Sequence, residues 1–201
     1  MASQQIVIVN TGCANISSVK FAVERLGTHV IVSDDIQVIQ KADKVFLPGV
    51  GSANAAMASI QKKQLVGCIR GLTQPVLGIC LGMQLMVEKS EESLSDNTPC
   101  LDLIPGQVKR MQVGDLRLPH MGWNTVTPVP DAALFKGIES GSYFYFVHSF
   151  AVAISKFTMA NCQYGLDFSA AIHKDNFFGV QFHPERSSDA GALLLKNFID
   201  L

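Results

Sequence analysis

Charge is scarce in this chain. Of its 201 residues, 16 are Lys or Arg and 17 are Asp or Glu, 16 % together, against about 25 % in ordinary globular domains. With a net charge of −1 and no run of Lys or Arg, a sequence-independent nucleic-acid surface or an anionic-membrane surface has no support. Hydrophobic types reach 48 %, which excludes a disordered chain and a coiled coil and is ample for one core. Long apolar runs are also missing. The uncharged stretch Gly71 to Val87 is interrupted by Pro75, Gly78 and Gly82, and a membrane span needs about 20 continuous apolar residues. No Lys or Arg precedes Lys20, so the start lacks the basic region of a signal peptide. The five cysteines, at 13, 68, 80, 100 and 162, form no Cys-x-x-Cys pair and no Cys/His zinc spacing. An odd count of this kind suits a reduced, cytoplasmic protein. No Gly-x-Gly-x-x-Gly occurs, so a dinucleotide fold has no support, and neither a metal nor a cofactor is expected.

What is there is alternation. Ile6–Val9 reads as a strand. Asn15 then stands where a helix cap belongs, before apolar positions Val19, Ala22, Val23 and Leu26, and Gly27 closes that helix. Strands at 30–32 and 45–47 flank a short helix at 36–40. A longer helix is predicted over 53–70, a strand over 75–79 and a helix over 81–89. Fully apolar strands alternating with helices imply a parallel sheet covered on both faces. From Glu91 to Leu101 the chain is polar and turn-rich, an expected exposed loop. Strand signals then dominate at 107–111, 124–126, 143–150, 158–163, 170–173 and 177–181, with Lys174-Asp175-Asn176 as a hairpin turn. A helix closes the chain over 188–200. No linker separates the halves, so residues 1–201 are expected to form one α/β domain. Its central sheet should be mostly parallel, with helices on both faces, and the C-terminal half should add a small β-rich side sheet.

Three motifs carry chemistry. Gly78-Ile79-Cys80-Leu81-Gly82 sits where a buried strand meets a helix, the pattern of a nucleophile elbow with Cys as nucleophile. The turn pushes the side chain outward, the glycines make room, and the free N–H groups of a helix start suit the reactive anionic form of Cys80. The same pattern also describes a small buried Cys in a glycine turn. His183-Pro184-Glu185 follows the strand at 177–181. In extended chain, residues i and i+2 point to one side, so Glu185 can fix the His183 tautomer and raise its basicity. Cys80, His183 and Glu185 then read as nucleophile, base and orienter. Leu47-Pro48-Gly49-Val50-Gly51-Ser52 follows a strand that ends at the same carboxyl edge, where open α/β sheets place their sites. Its glycines free backbone N–H groups to face an anion.

PGVGSA, GICLGMQL and FHPERS occur in the order and spacing of class I (triad-type) glutamine amidotransferases, and this resemblance spans most of the chain. Within that family, Leu118–Asn124 (LPHMGWN) and Tyr145–Ser149 (YFVHS) look like the glutaminase subunits of imidazole glycerol phosphate synthases. The opening Asn10-Thr11-Gly12-Cys13-Ala14-Asn15 is similar to their N-terminal loop, although Asn-Thr stands where many members have Asp-Tyr or Ser-Val.

The resemblance implies hydrolysis of the glutamine side-chain amide by the Cys80-His183-Glu185 triad. It implies an oxyanion held by the backbone N–H of Leu81 and one from Val50–Gly51. Gln84 and the backbone at Ser149 and Phe150 would position glutamine. The implied partner is a separate (β/α)8-barrel cyclase subunit, giving a heterodimer active in histidine biosynthesis. That cyclase uses the ammonia to form imidazole glycerol phosphate and an aminoimidazole carboxamide ribonucleotide. Asn15, Met121, Trp123 and Tyr145 are candidates for the contact face, with core packing as the competing explanation for Met121, Trp123 and Tyr145. Two other classes share parts of these features: a free-standing γ-glutamyl or cysteine hydrolase, active alone, and a non-catalytic α/β interaction module, which needs no reactive thiol.

Overall fold

The computed structural model describes residues 4–12, 15–92 and 97–201. Cys13 and Ala14 of the N-terminal loop, and residues 93–96 of the expected exposed loop, lie outside the described residues. In chain order the strands are β1 Ile6–Val9, β2 Val30–Ser33, β3 Lys44–Gly49, β4 Val76–Cys80, β5 Lys89–Ser90, β6 Thr98–Pro99, β7 Gln107–Arg110, β8 His120–Pro128, β9 Ser142–His148, β10 Phe150–Val152, β11 Thr158–Gln163, β12 Asp167–Lys174 and β13 Phe177–Val180. The α-helices are α1 Ile16–Glu24, α2 Ile36–Gln40, α3 Ala53–Lys62, α4 Leu65–Arg70, α5 Leu81–Gln84 and α6 Ser188–Ile199.

Nine strands form one sheet in the order β2-β1-β3-β4-β13-β12-β11-β8-β9. Its first five members pair in parallel. From β13 onward the pairings are antiparallel, so the parallel sheet is extended into a mixed one by the C-terminal half. The remaining strands make the small side sheet, β10-β7-β5-β6.

Side-chain alternation sorts two cores. Ile6, Ile8, Phe46, Leu77 and Ile79 pack on one face with Val19 and Val23 of α1 and Leu194, Leu195 and Phe198 of α6. Val7, Val9, Val45, Leu47 and Val76 pack on the other with Ile39 of α2, Met57 and Ile60 of α3, and Leu65 and Ile69 of α4. The parallel strands are buried on both sides, which is why they read as unbroken apolar runs. Each large aliphatic side chain so buried contributes about 1.5–3 kcal/mol.

The structure corrects several boundaries. The helix expected over 53–70 is two helices, because Gln64 takes a left-handed conformation (φ 58°). Buried positions run Ala56, Met57 and Ile60, then Leu65, Cys68 and Ile69. The step from 60 to 65 is too long for one helix face, and the turn absorbs it. The helix expected over 81–89 ends at Gln84, and Lys89 and Ser90 join the side sheet. The strand expected over 143–150 divides at Ser149, passing from the large sheet to the small one. Asn15 precedes α1 but makes no capping hydrogen bond through its side chain.

Candidate active site

Strands β3, β4 and β13 are neighbours and parallel, so their carboxyl ends lie side by side at a spacing of about 4.8 Å per strand. Beyond β3 comes Val50–Gly51, β4 ends on Cys80, and the chain leaving β13 reaches His183. Sheet order thus gathers three segments far apart in sequence.

The elbow at Cys80 is strained in the manner its motif requires. Cys80 has φ 53° and ψ −111°, directly between β4 and α5. A Cβ on Gly78 would stand 2.7 Å from the Met83 backbone nitrogen, and one on Gly49 would stand 2.9 Å from the Gly82 nitrogen. The end of β3 and the elbow therefore touch backbone to backbone, an approach only glycine permits. Gly51, with φ +89°, holds the positive dihedral that turns the chain out of β3.

Pro184 opens a short 3-10 turn, Pro184–Arg186, that brings Glu185 back beside its neighbour. The His183 Nδ1 and Glu185 Oε1 atoms are 2.7 Å apart. Both side chains are nearly inaccessible, and Glu185 Oε2 has no hydrogen-bond partner among the described residues. The carboxylate's charge is thus directed at one imidazole. With Nδ1 engaged, Nε2 is the nitrogen left for Cys80, which lines the same cavity. Burial opposes charge on His183, but the hydrogen bonds to Cys80 and Glu185 and their negative charge outweigh it. The His183 pKa is pushed up to about 10. An imidazolium held between a sulfur and a carboxylate is suited to protonate a leaving amine.

A cavity of about 240 Å³ opens on this group, lined by Val50, Gly51, Cys80, Leu81, Gln84, Ser149, Phe150 and His183 together with Glu92, Val147 and His148. All six residues expected at the oxyanion and substrate positions (Val50, Gly51, Leu81, Gln84, Ser149 and Phe150) meet there. The last three lining residues were not anticipated from sequence. Glu92 accepts from the Ala53 N–H at 3.3 Å, and burial raises its pKa. Also unforeseen is Gln181, fully buried behind the cavity wall. Its Nε2 donates to Cys80 Sγ at 3.8 Å, and its Oε1 accepts from Gln84 Nε2 at 2.9 Å. Gln84 Nε2 also donates to the Phe150 carbonyl at 3.0 Å. Only its polarity within the apolar run Phe177–Phe182 stands out; the chain bends at Gln181 and Phe182, so strand spacing does not point it at Cys80.

His148 holds the Phe150 carbonyl from a second direction, with Nδ1 at 2.9 Å, while its Nε2 lies 3.1 Å from His120 Nδ1. His120 Nε2 is 3.2 Å from the Asn124 amide nitrogen. The chain is satisfied when both rings are neutral with hydrogen on Nδ1. Burial agrees, lowering His148 to about 3 and His120 to about 4.

Strands β8 and β9 pair so that Met121 faces Val147 and Trp123 faces Tyr145. Met121 is 67 % and Trp123 52 % exposed, an apolar surface that core packing does not explain. Tyr145 is half-buried, with Trp123 edge-on to it at 6.1 Å and Arg186 over its ring at 5.3 Å. The Tyr145 carbonyl accepts from the His183 N–H at 2.9 Å. This surface therefore adjoins the triad. Asn15, exposed just before α1, sits on a different element from these three.

The class-I glutamine amidotransferase family profile matches residues 7–201. The chain is 58 % identical to the imidazole glycerol phosphate synthase subunit HisH of Colwellia psychrerythraea, covering 100 % of this chain and 95 % of that one. It is 57 % identical to the subunit of the same name from Haemophilus influenzae, covering 97 % and 96 %. Among solved structures, PurLQS from Thermotoga maritima superposes with a TM-score of 0.72 over 98 % of each chain, at 17 % identity, a likeness of fold. The chain belongs to the class-I glutamine amidotransferase family, in the branch that contains the HisH subunits of imidazole glycerol phosphate synthase.

Proposed function

We propose that residues 1–201 act as one amidotransferase domain, the glutaminase subunit of an imidazole glycerol phosphate synthase. The observation that carries this reading is the hydrogen-bonded pair His183–Glu185 facing a cavity that His183 lines together with Cys80, Val50, Gly51, Leu81 and Gln84. Cys80 Sγ forms a bond to the carboxamide carbon of glutamine. The backbone N–H groups of Leu81 and the Val50–Gly51 segment take the charge on the carbonyl oxygen, where loss of one donor typically costs about 10²–10³ in rate. His183 gives a proton to the departing nitrogen, and ammonia leaves with a thioester behind. His183 then takes a proton from water, whose oxygen displaces the sulfur to give glutamate. Glu185 keeps the imidazole oriented throughout. Gln84, Ser149 and Phe150 hold the substrate, and Glu92 supplies a carboxylate for its ammonium group.

Ammonia freed into water would become ammonium and lose its nucleophilicity, so a water-excluding route to the acceptor fits the chemistry. The route belongs to a cytoplasmic heterodimer with a (β/α)8-barrel cyclase, docked on the face made by Met121, Trp123 and Tyr145, with Asn15 at its margin. Cys80→Ala tests the assignment. It should abolish glutamate formation, by on the order of 10⁴-fold or more, while the complex still turns over with added ammonium salt. Glutamine hydrolysis that survives the substitution would remove Cys80 from the mechanism.

A further inference from the structure

Gln181 is one polar residue in the apolar run Phe177–Phe182, and the mechanism above gives it no task. Its surroundings do. The carbonyl of Phe150 can only accept, so the Gln84 side chain must turn its NH2 group toward it. The same NH2 group makes the contact with Gln181. Both of its hydrogens are then used, and the Gln181 atom facing it must be Oε1. That leaves Gln181 Nε2, and only Nε2, for Cys80 Sγ. One backbone carbonyl thereby fixes the sense of two side-chain amides in series, and no flipped arrangement satisfies all three contacts.

The geometry points to Gln181 as a positioning residue that sets both the Cys80 sulfur and the Gln84 amide for glutamine hydrolysis, an inference resting on the glutaminase reading above. Toward Cys80 it provides an uncharged N–H donor. That donor fixes where Sγ points, and an N–H donor stabilises a thiolate more than a thiol. Toward Gln84 it occupies the second amide hydrogen, leaving Gln84 Oε1 to accept from the substrate in the cavity. Gln181 itself stands outside the cavity lining, so it acts through its two neighbours.

Two substitutions separate these tasks. Gln181→Glu keeps the length and the acceptor for Gln84 but puts a carboxylate in place of the donor to sulfur. Gln181→Met removes both contacts at similar volume. In the complex with the cyclase, Gln181→Glu should lower kcat about tenfold or more with KM changed less than about threefold. Gln181→Met should lower kcat and also raise KM for glutamine by about tenfold. A third readout needs no substrate: iodoacetamide labelling of Cys80 across pH, followed by site-resolved mass spectrometry. In Gln181→Glu the labelling profile should move to higher pH by about one unit or more. Should that variant fail to fold, Gln181→Met must still show an upward shift, since it too lacks the donor. An unshifted profile overturns the contact with sulfur, and equal KM in the two variants overturns the contact with Gln84. If the wild-type complex releases no glutamate, the glutaminase reading fails, and the labelling profile still decides whether Gln181 governs Cys80.

Discussion

The carbonyl oxygen of Leu47 fills the space that a side chain on Gly82 would need: a Cβ there would lie 1.7 Å from it. Leu47 belongs to β3, which leads into the oxyanion segment, and Gly82 belongs to the turn after Cys80. The two halves of the site are therefore locked together by backbone contact. Gly82→Ala should destabilise the protein by about 3 kcal/mol or more, since neither partner is a flexible side chain. It should also cut glutaminase activity by displacing Val50–Gly51 from Cys80. Urea unfolding together with glutamate release checks both, and wild-type values in the variant would show that the contact is not rigid.

In the proposed mechanism His183 and Glu185 divide the acid–base work unequally. His183→Ala removes the proton carrier of both half-reactions, whereas Glu185→Gln removes the charge that orients it and leaves the shape. We expect the first to lose nearly all glutaminase activity, on the order of 10⁴-fold, and the second a smaller factor. Equal losses in steady-state kinetics would mean that Glu185 has a further role.

Stability should peak near pH 6.5, because the buried histidines shift in opposite directions. His148 and His120 are lowered to about 3 and about 4 by burial. Below pH 6.5 the unfolded chain takes up protons that these rings refuse in the native state, so stability falls as pH drops. His183 is raised to about 10, despite burial, by Cys80 and Glu185. Its contribution is complete below pH 6.5 and is lost as pH climbs toward 10. Denaturation midpoints across pH 4–10 should show both limbs, and His183→Ala should flatten the alkaline one. An alkaline limb unchanged in that variant would contradict the assignment.

The exposed Trp123 is the anchor expected of the proposed docking face. It is half-exposed and braced edge-on by Tyr145, an arrangement typical of a side chain that contributes more than about 1 kcal/mol to an interface. Trp123→Ala should weaken cyclase binding or coupling and leave Cys80 labelling by a glutamine-like chloroketone intact. Titration calorimetry gives the first, mass spectrometry the second. Unaltered affinity and coupling would move the interface elsewhere.

Much of this was legible in the sequence, for identifiable reasons. Strands buried on both faces show as apolar runs, so β1, β3 and β4 could be placed to within a residue or two. His183 and Glu185 could be paired from their closeness in sequence, but the extended chain expected through Pro184 is a 3-10 turn, Pro184–Arg186, and that turn sets Glu185 beside His183. Gln64 gave no warning, carrying neither Gly nor Pro; only the change in phase between Ile60 and Leu65 marks the break. The side sheet was harder, since β5 and β6 are two residues each and are defined by their partners. Gln181 and the His120–His148 contact depend on pairings distant in sequence, Gln84 with Gln181 and β8 with β9, which no local pattern encodes.

A glutaminase that fires without an acceptor wastes glutamine, so the account makes partner binding set the activity. The proposed movable part is the Val50–Gly51 end of the Pro48–Gly51 segment, beyond the locked end of β3, where glycine tolerates the dihedral change that turns an N–H toward the oxyanion, and binding shifts that equilibrium only if the cyclase favours the competent form. The direct measurement is steady-state glutamate release by the subunit alone, with the cyclase, and with the cyclase carrying its nucleotide ligand. The account predicts weak hydrolysis alone and a large rise with the liganded cyclase, all of it lost in Cys80→Ala; equal rates under all three conditions would contradict it and assign the chain to the free-standing hydrolases.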